Sequence, residues 1–214
     1  NKTYAERDYK GLSTLINRSS SIAFYMVTLV GVPIMCNIHF VLDIWLVTPP
    51  AYAYAFCVLI IIFQLIDTLQ SPFNTLIFAS NRIKEYNIWL SSILIMNIVI
   101  SSILLSKGVS PICVPATMVV LNTITGILRL IHIKYFMDID LSVFFKRNLP
   151  KMLAVLVLSI IVSLLFNRFS LNVRLNCFFS TGMSFIITFG IIWLLGLSKN
   201  ERKEIIRIVK AKIK

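Results

Sequence analysis

The stretch Tyr52–Ala79 reads YAYAFCVLIIIFQLIDTLQSPFNTLIFA, 28 residues whose one formal charge is Asp67. A helix rises ~1.5 Å per residue and a bilayer's hydrocarbon core is ~30 Å thick, so ~20 apolar residues cross it. This stretch is long enough. Inside lipid the backbone must satisfy its own polar groups, which predicts a helix. A membrane strand would alternate polar and apolar residues at period two, and no such alternation is present.

Working outward, Ile22–Leu46, Ile88–Ser106, Val109–Phe136 and Asn172–Leu195 meet the same length criterion. Met152–Phe166 is shorter, but Lys151 and Arg168 can snorkel from its ends. Of the 214 residues, 57% are hydrophobic and 14% charged, outside the range of an ordinary soluble domain. The expected fold is an all-α membrane protein, a bundle of six transmembrane helices. The expected organisation is a cytoplasmic or interfacial segment over 1–21, a six-span bundle over 22–196 and a basic cytoplasmic tail over 197–214. The first apolar run follows polar residues and is too long for a signal peptide. The chain opens on Asn1 and is expected to be part of a longer protein.

The net charge of +12 suggests a polyanion until its placement is read. Lys2, Arg7, Lys10 and Arg18 precede the first span; Arg82 and Lys84 join the second and third. Lys134, Lys146, Arg147 and Lys151 flank the fourth–fifth connection, and seven more basic residues fill the tail. The alternate loops hold only Lys107, Arg168 and Arg174. A Lys/Arg excess marks the cytoplasmic side, so both ends are expected there, with membrane lipids and not nucleic acid as the charge partner. In the tail, Ile205, Ile208, Val209 and Ile213 share a helical face among lysines. A surface helix on an anionic leaflet and a solvated basic tail both fit.

Gly31 and Pro33 are expected to bend the first span without ending it, and Pro111 and Pro115 to sit in the first turns of the fourth. Trp45 suits the outer headgroup level. Cys36, Cys57, Cys113 and Cys177 lie on different spans, with no paired spacing and no histidine cluster. They read as packed thiols, so no metal and no cofactor is expected.

The chemistry of such a chain lies in its intramembrane polar residues. A charge at the bilayer centre costs ~2.5–3.5 kcal/mol on the insertion scale and usually faces the bundle interior or a wet cavity. The second span carries Gln64, Asp67, Ser71 and Asn74, and the fourth carries Asn122, Thr125, Arg129 and His132. Both follow i, i+3, i+7, i+10, which at ~100° per residue is one helical stripe. Pro72 frees a backbone carbonyl near Thr68. As a cavity, the substrate-binding set is Arg129, Asn122, Asn74 and Gln64, with Asp67 the coupling-ion candidate. As helix–helix glue, the same neutral groups hydrogen-bond between spans, the stronger reading for them. For Asp67 and Arg129 the cavity is stronger. The two sit roughly eight residues apart in depth, on the order of 12 Å, too far for a direct salt bridge.

Weaker polar strips are Asn97 with Ser101, and Asn176 with Ser180 and Ser184. His132 reads as interfacial, His39 and Asp43 as hydrated at the outer end, and the fifth span as lipid-facing. No carboxylate pair, nucleophile–base set or phosphate-cradling glycine loop is present, so no enzyme is expected.

Three further segments carry a family likeness. They are Leu42-Asp43-Ile44-Trp45-Leu46 with Pro50 and Tyr52; Ser71-Pro72-Phe73-Asn74-Thr75 running into Ala79 and 81–86; and 196–203 after the last span. In their order and spacing the chain resembles Wzx-type polysaccharide (O-antigen or capsule) flippases of the MATE-like exporter superfamily. The resemblance implies two facing bundles, about twelve to fourteen spans in all, rocking by alternating access. It makes this chain the C-terminal portion, approximately spans nine to fourteen. It also implies a bacterial inner-membrane location and a lipid-linked oligosaccharide substrate on undecaprenyl diphosphate. Polysaccharide polymerase and glycosyltransferases are the implied partners. The same superfamily includes cation- or proton-coupled small-molecule and drug antiporters, the alternative function. No motif of the resemblance assigns a role to Arg129.

Overall fold

The computed structural model describes residues 9–46, 48–79, 83–137, 144–169, 174–198, 201–203 and 206–207. Seven helices form there: α1 Tyr9–Cys36, α2 Ile38–Leu46, α3 Ala53–Ala79, α4 Ile83–Ser106, α5 Cys113–Met137, α6 Leu149–Phe169 and α7 Arg174–Ile191. π-helical turns precede α6 (Phe144–Asn148) and follow α7 (Ile192–Gly196). No strand occurs among the described residues. Six helical stretches are long and apolar enough to cross a membrane: Thr14–Cys36, Ala53–Phe78, Tyr86–Ser106, Cys113–Lys134, Phe144–Phe166 and Phe179–Gly196.

The boundaries differ from the sequence reading in four places. Helix α1 runs unbroken from Tyr9, so the bundle begins before residue 22. Ile16 and Ser20 are already buried, and the Ser20 hydroxyl donates to the Leu69 carbonyl at 3.1 Å. The first span does not continue to Leu46. It stops four residues after Pro33, where the Asn37 N–H is shared between the Pro33 and Ile34 carbonyls and its side-chain amide also donates to Pro33 at 3.0 Å. Pro111 lies in the turn before α5, not in its first turn. The short fifth span gains its length from the π-turn, whose Phe144 is buried, and not from snorkelling alone.

Helix α1 packs on α3, α6 and α7; α3 packs on α5, and α5 on α4. Lipid tails are as apolar as leucine, so close approach rather than hydrophobicity selects these contacts. Gly31 shows why a small residue is needed: a Cβ there would lie 2.9 Å from Ile61 Cγ2. One buried cluster joins Ile16, Phe73, Ile77, Tyr86, Ile133 and Phe144 from α1, α3, α4, α5 and the first π-turn. It gathers the start of α1, the end of α3, the start of α4 and the end of α5 at one end of the bundle. Ser198 and Glu201 meet Arg18 and Lys151 at that end as well. Among the described residues, the basic Arg18, Lys84, Lys134, Arg147 and Lys151 therefore collect on one side. At the other end Gly108, at φ +77°, makes the tight turn between α4 and α5.

Helix α6 is not wholly lipid-facing. Met152, Val155, Ser159 and Ser163 are buried against α1 and α7, whereas Val157, Ile161, Leu164 and Leu165 are exposed. Small hydroxyl residues inward and large aliphatics outward is the membrane arrangement of a helix contact.

Candidate functional site

Helices α3 and α4 both flank α5 but scarcely touch each other. Between the three lies a cleft of about 230 Å³ in an otherwise oily bundle. Its polar wall is Asp67 and Asn74 from α3, Asn97 from α4, and Asn122, Thr125 and Arg129 from α5.

Arg129 is 3% exposed, the most deeply placed charge among the described residues. Its Nε donates to the Tyr86 hydroxyl at 2.8 Å, and that hydroxyl donates to Asn74 Oδ1. Its Nη1 donates to the Gln70 carbonyl at 3.3 Å and to Gln70 Oε1 at 3.2 Å. The guanidinium carbon also stands 5.7 Å from the Tyr86 ring centre, within cation–π range. The Gln70 amide in turn donates to the Asn122 carbonyl at 3.2 Å. Every one of these partners is neutral. They orient the guanidinium without cancelling its charge.

Local backbone chemistry explains how α3 accepts donors from outside. Pro72 has no N–H to complete the preceding turn. The carbonyl this leaves without its helical partner is that of Thr68; one and two residues on, the Leu69 and Gln70 carbonyls receive Ser20 and Arg129. Gly126 leaves room for Gln70 to cross α5, because a Cβ there would overlap the Gln70 amide.

Asp67 is half-buried at the cleft and makes no ion pair with Arg129. Asn74 and Asn122 are half-buried members of the network. Gln64 is different: it is exposed and does not line the cleft. It sits ~60° to one side of Asp67 on the helix, and Gln70 sits ~60° to the other, the side that meets α5. Exposed Ser71 shares the Gln64 side.

Three contributors stand outside the two stripes. Gln70 and Tyr86 hold Arg129. Asn97, known only as a weak strip, accepts the Thr117 hydroxyl at 2.9 Å and ties α4 to α5. Their signals are polar type inside a span for Gln70 and Asn97, and for Tyr86 a hydroxyl at the start of α4, the same end of the bundle as Arg129. His132 is half-buried, its ring tilted 6.5 Å from Tyr86. At the opposite end the exposed Asp43 accepts the Tyr54 hydroxyl at 2.7 Å, beneath a 4.0 Å ring contact with His39. Ser180 donates to Asn37 at 3.4 Å, and Ser184 is buried. The side chain of Asn176, all of 138–143 and most of the tail lie outside the described residues.

No protein-family model, curated protein or solved structure matches this chain. What the cleft does must be read from its residues. Among those described, no group of three His, Cys, Asp or Glu converges on a metal position. The cleft presents a guanidinium held by neutral partners, a half-buried carboxylate and several amides.

Proposed function

We propose that this chain is one half of a transporter that flips lipid-linked oligosaccharide across the bacterial inner membrane for surface polysaccharide assembly. The observation that carries the reading is Arg129, a buried cation at a cleft whose partners are all neutral. A charge taken from water calls for an opposite one, and a guanidinium fork suits phosphate oxygens. The diphosphate of undecaprenyl-linked sugars supplies that charge. The family resemblance supplies the glycan, the carrier and the expected polymerase and glycosyltransferase partners. Gathering of the described basic residues Arg18, Lys84, Lys134, Arg147 and Lys151 at one end supports a cytoplasmic placement of that end. The exposed Gln64–Ser71 strip supports a second bundle on that face, since polar groups are costly against lipid.

In the complete protein, Arg129→Ala should abolish surface polysaccharide while the protein remains in the membrane. Arg129→Lys keeps the charge but loses the fork, and should restore it in part. Full surface polysaccharide in Arg129→Ala ends this reading.

A cation- or proton-coupled antiporter is the second reading. It is favoured by Asp67, a cleft carboxylate with no ion pair to Arg129. Drug resistance that disappears in Asp67→Asn, with surface glycan unchanged, selects it over the first.

A further inference from the structure

A second polar recess, of about 390 Å³, lies away from the Arg129 cleft, where α1, the first π-turn, α6 and the end of the α7 segment meet. That volume is on the order of ten water molecules' share of liquid. Three cations line it: Arg18 from α1, Arg147 from the π-turn and Lys151 from α6. Asn17, Asn148 and Tyr25 add neutral hydrogen-bonding groups.

The carboxylate in the described lining, Glu201, faces these cations and also makes local hydrogen bonds. Its Oε2 accepts the Ser198 N–H at 2.7 Å, and the Glu201 N–H donates to the Ser198 hydroxyl at 3.3 Å. This reciprocal pair is a capping box. Arg202 adds a clamp, donating from Nη2 to the Leu194 carbonyl at 2.7 Å and from Nε to the Leu197 carbonyl at 3.2 Å. Ser198, Glu201 and Arg202 are thereby tied to the end of the last span, and the described lining holds three cations and one carboxylate.

Depth identifies the occupant's chemistry. Lys151 adjoins the fully buried Met152, Arg18 stands two residues before the buried Ser20, and Gly196 closes the last span. The recess is therefore level with the end of the apolar bundle, where phosphates of a bilayer lie.

We propose that this recess binds a phosphate group through Arg18, Arg147 and Lys151, independently of the Arg129 cleft. Its two sources are a membrane phospholipid headgroup and a soluble phosphate. Arginine forks and a lysine point charge are the usual side-chain ligands of such oxygens.

The test is native mass spectrometry on purified, delipidated protein titrated with phosphatidylglycerol, with phosphatidylcholine, and with phosphatidylglycerol in excess inorganic phosphate. Arg147→Gln/Lys151→Gln should weaken phosphatidylglycerol binding by about tenfold or more, since each basic residue near an anionic surface contributes measurably. The charge-matched control Lys84→Gln/Lys134→Gln, at exposed positions on the same side, should leave it within about twofold. Glu201→Gln should strengthen it, because glutamine preserves the capping box and removes the competing charge. Misfolding cannot produce that gain. Competition by inorganic phosphate identifies a soluble anion as the source; its failure identifies the headgroup. Equal losses in the control pair, or no gain in Glu201→Gln, overturn the proposal.

Discussion

Gln70 fills the space that a side chain at Gly126 would need. The relationship is functional as well as steric. From that position Gln70 accepts from Arg129 Nη1 and donates to the Asn122 carbonyl, so it links Asn122 and Arg129 of the α5 stripe. Gly126→Ala is expected to push Gln70 aside and free Arg129 to move. Overpacking of this kind costs about 1–3 kcal/mol. A control is available in Gly182, whose position has nothing within 4 Å of an added Cβ. Thermal unfolding in detergent should show a lower midpoint for Gly126→Ala and no loss for Gly182→Ala. Equal midpoints for the two would mean that the Gln70 contact is dispensable.

Tyr86→Phe removes one oxygen and keeps the ring over Arg129. The lost hydroxyl accepts from Arg129 Nε and donates to Asn74, so the buried guanidinium and the half-buried Asn74 amide each lose a partner. Each such loss costs about 1–3 kcal/mol. Because the groups form one chain, Tyr86→Phe and Asn74→Ala should be non-additive by about 0.5–3 kcal/mol in a double-mutant cycle. Additive values would separate Asn74 from the network. Surface polysaccharide measured in the same strains should fall with Tyr86→Phe, since an unfixed guanidinium meets its ligand less often.

The span count was legible because hydrocarbon thickness leaves a helix few choices. The helix breaks were less so. Helix α1 ends just before Asn37, whose N–H is shared between the Pro33 and Ile34 carbonyls and whose side chain donates to Pro33 as well, and nothing at Asn37 itself announces the stop. Arg129 and Asp67 were legible because a charge among aliphatics has few explanations. Gln70 was not, since the i, i+3, i+7 stripe through Asp67 takes in Gln64 on one flank and passes by Gln70 on the other. Which flank faces α5 depends on packing around Gly126, a long-range fact. The inward face of α6 was hidden for a related reason. Its buried positions include Ser159 and Ser163 beside Met152 and Val155, while Leu153, Leu158, Ile161, Leu164 and Leu165 are exposed, nearly the inverse of the soluble pattern.

Those serines yield another expectation. Ser159, Ser163, Ser184 and Thr188 are buried, and their hydroxyls have no hydrogen-bond partner among the described residues. An unpaired buried hydroxyl carries a desolvation penalty of about 1–3 kcal/mol. Ser159→Ala and Ser163→Ala should therefore be neutral or raise the unfolding midpoint. Ser20→Ala, which removes a donor to Leu69, should lower it. A marked loss of stability in Ser159→Ala would show that its hydroxyl has found a partner.

Docking of the tail should depend on pH through Glu201. Burial alone would raise its pKa, but the Ser198 hydrogen bonds and the charges of Lys151 and Arg18 outweigh it, so the value falls below the ordinary 4.5. Arg147 adds positive charge from the π-turn. A released tail has the higher, ordinary pKa and takes up its proton first as pH falls. The stabilisation of the docked tail is therefore complete above about 4.5 and is lost as pH drops through the lower, docked value. Hydrogen exchange of the Ser198 amide, corrected for its intrinsic rate, should show protection at neutral pH that decays only below that range. In Glu201→Gln the capping bond persists without a titrating group, so the decay should vanish. Protection that decays identically in both proteins would assign the pH response to another group.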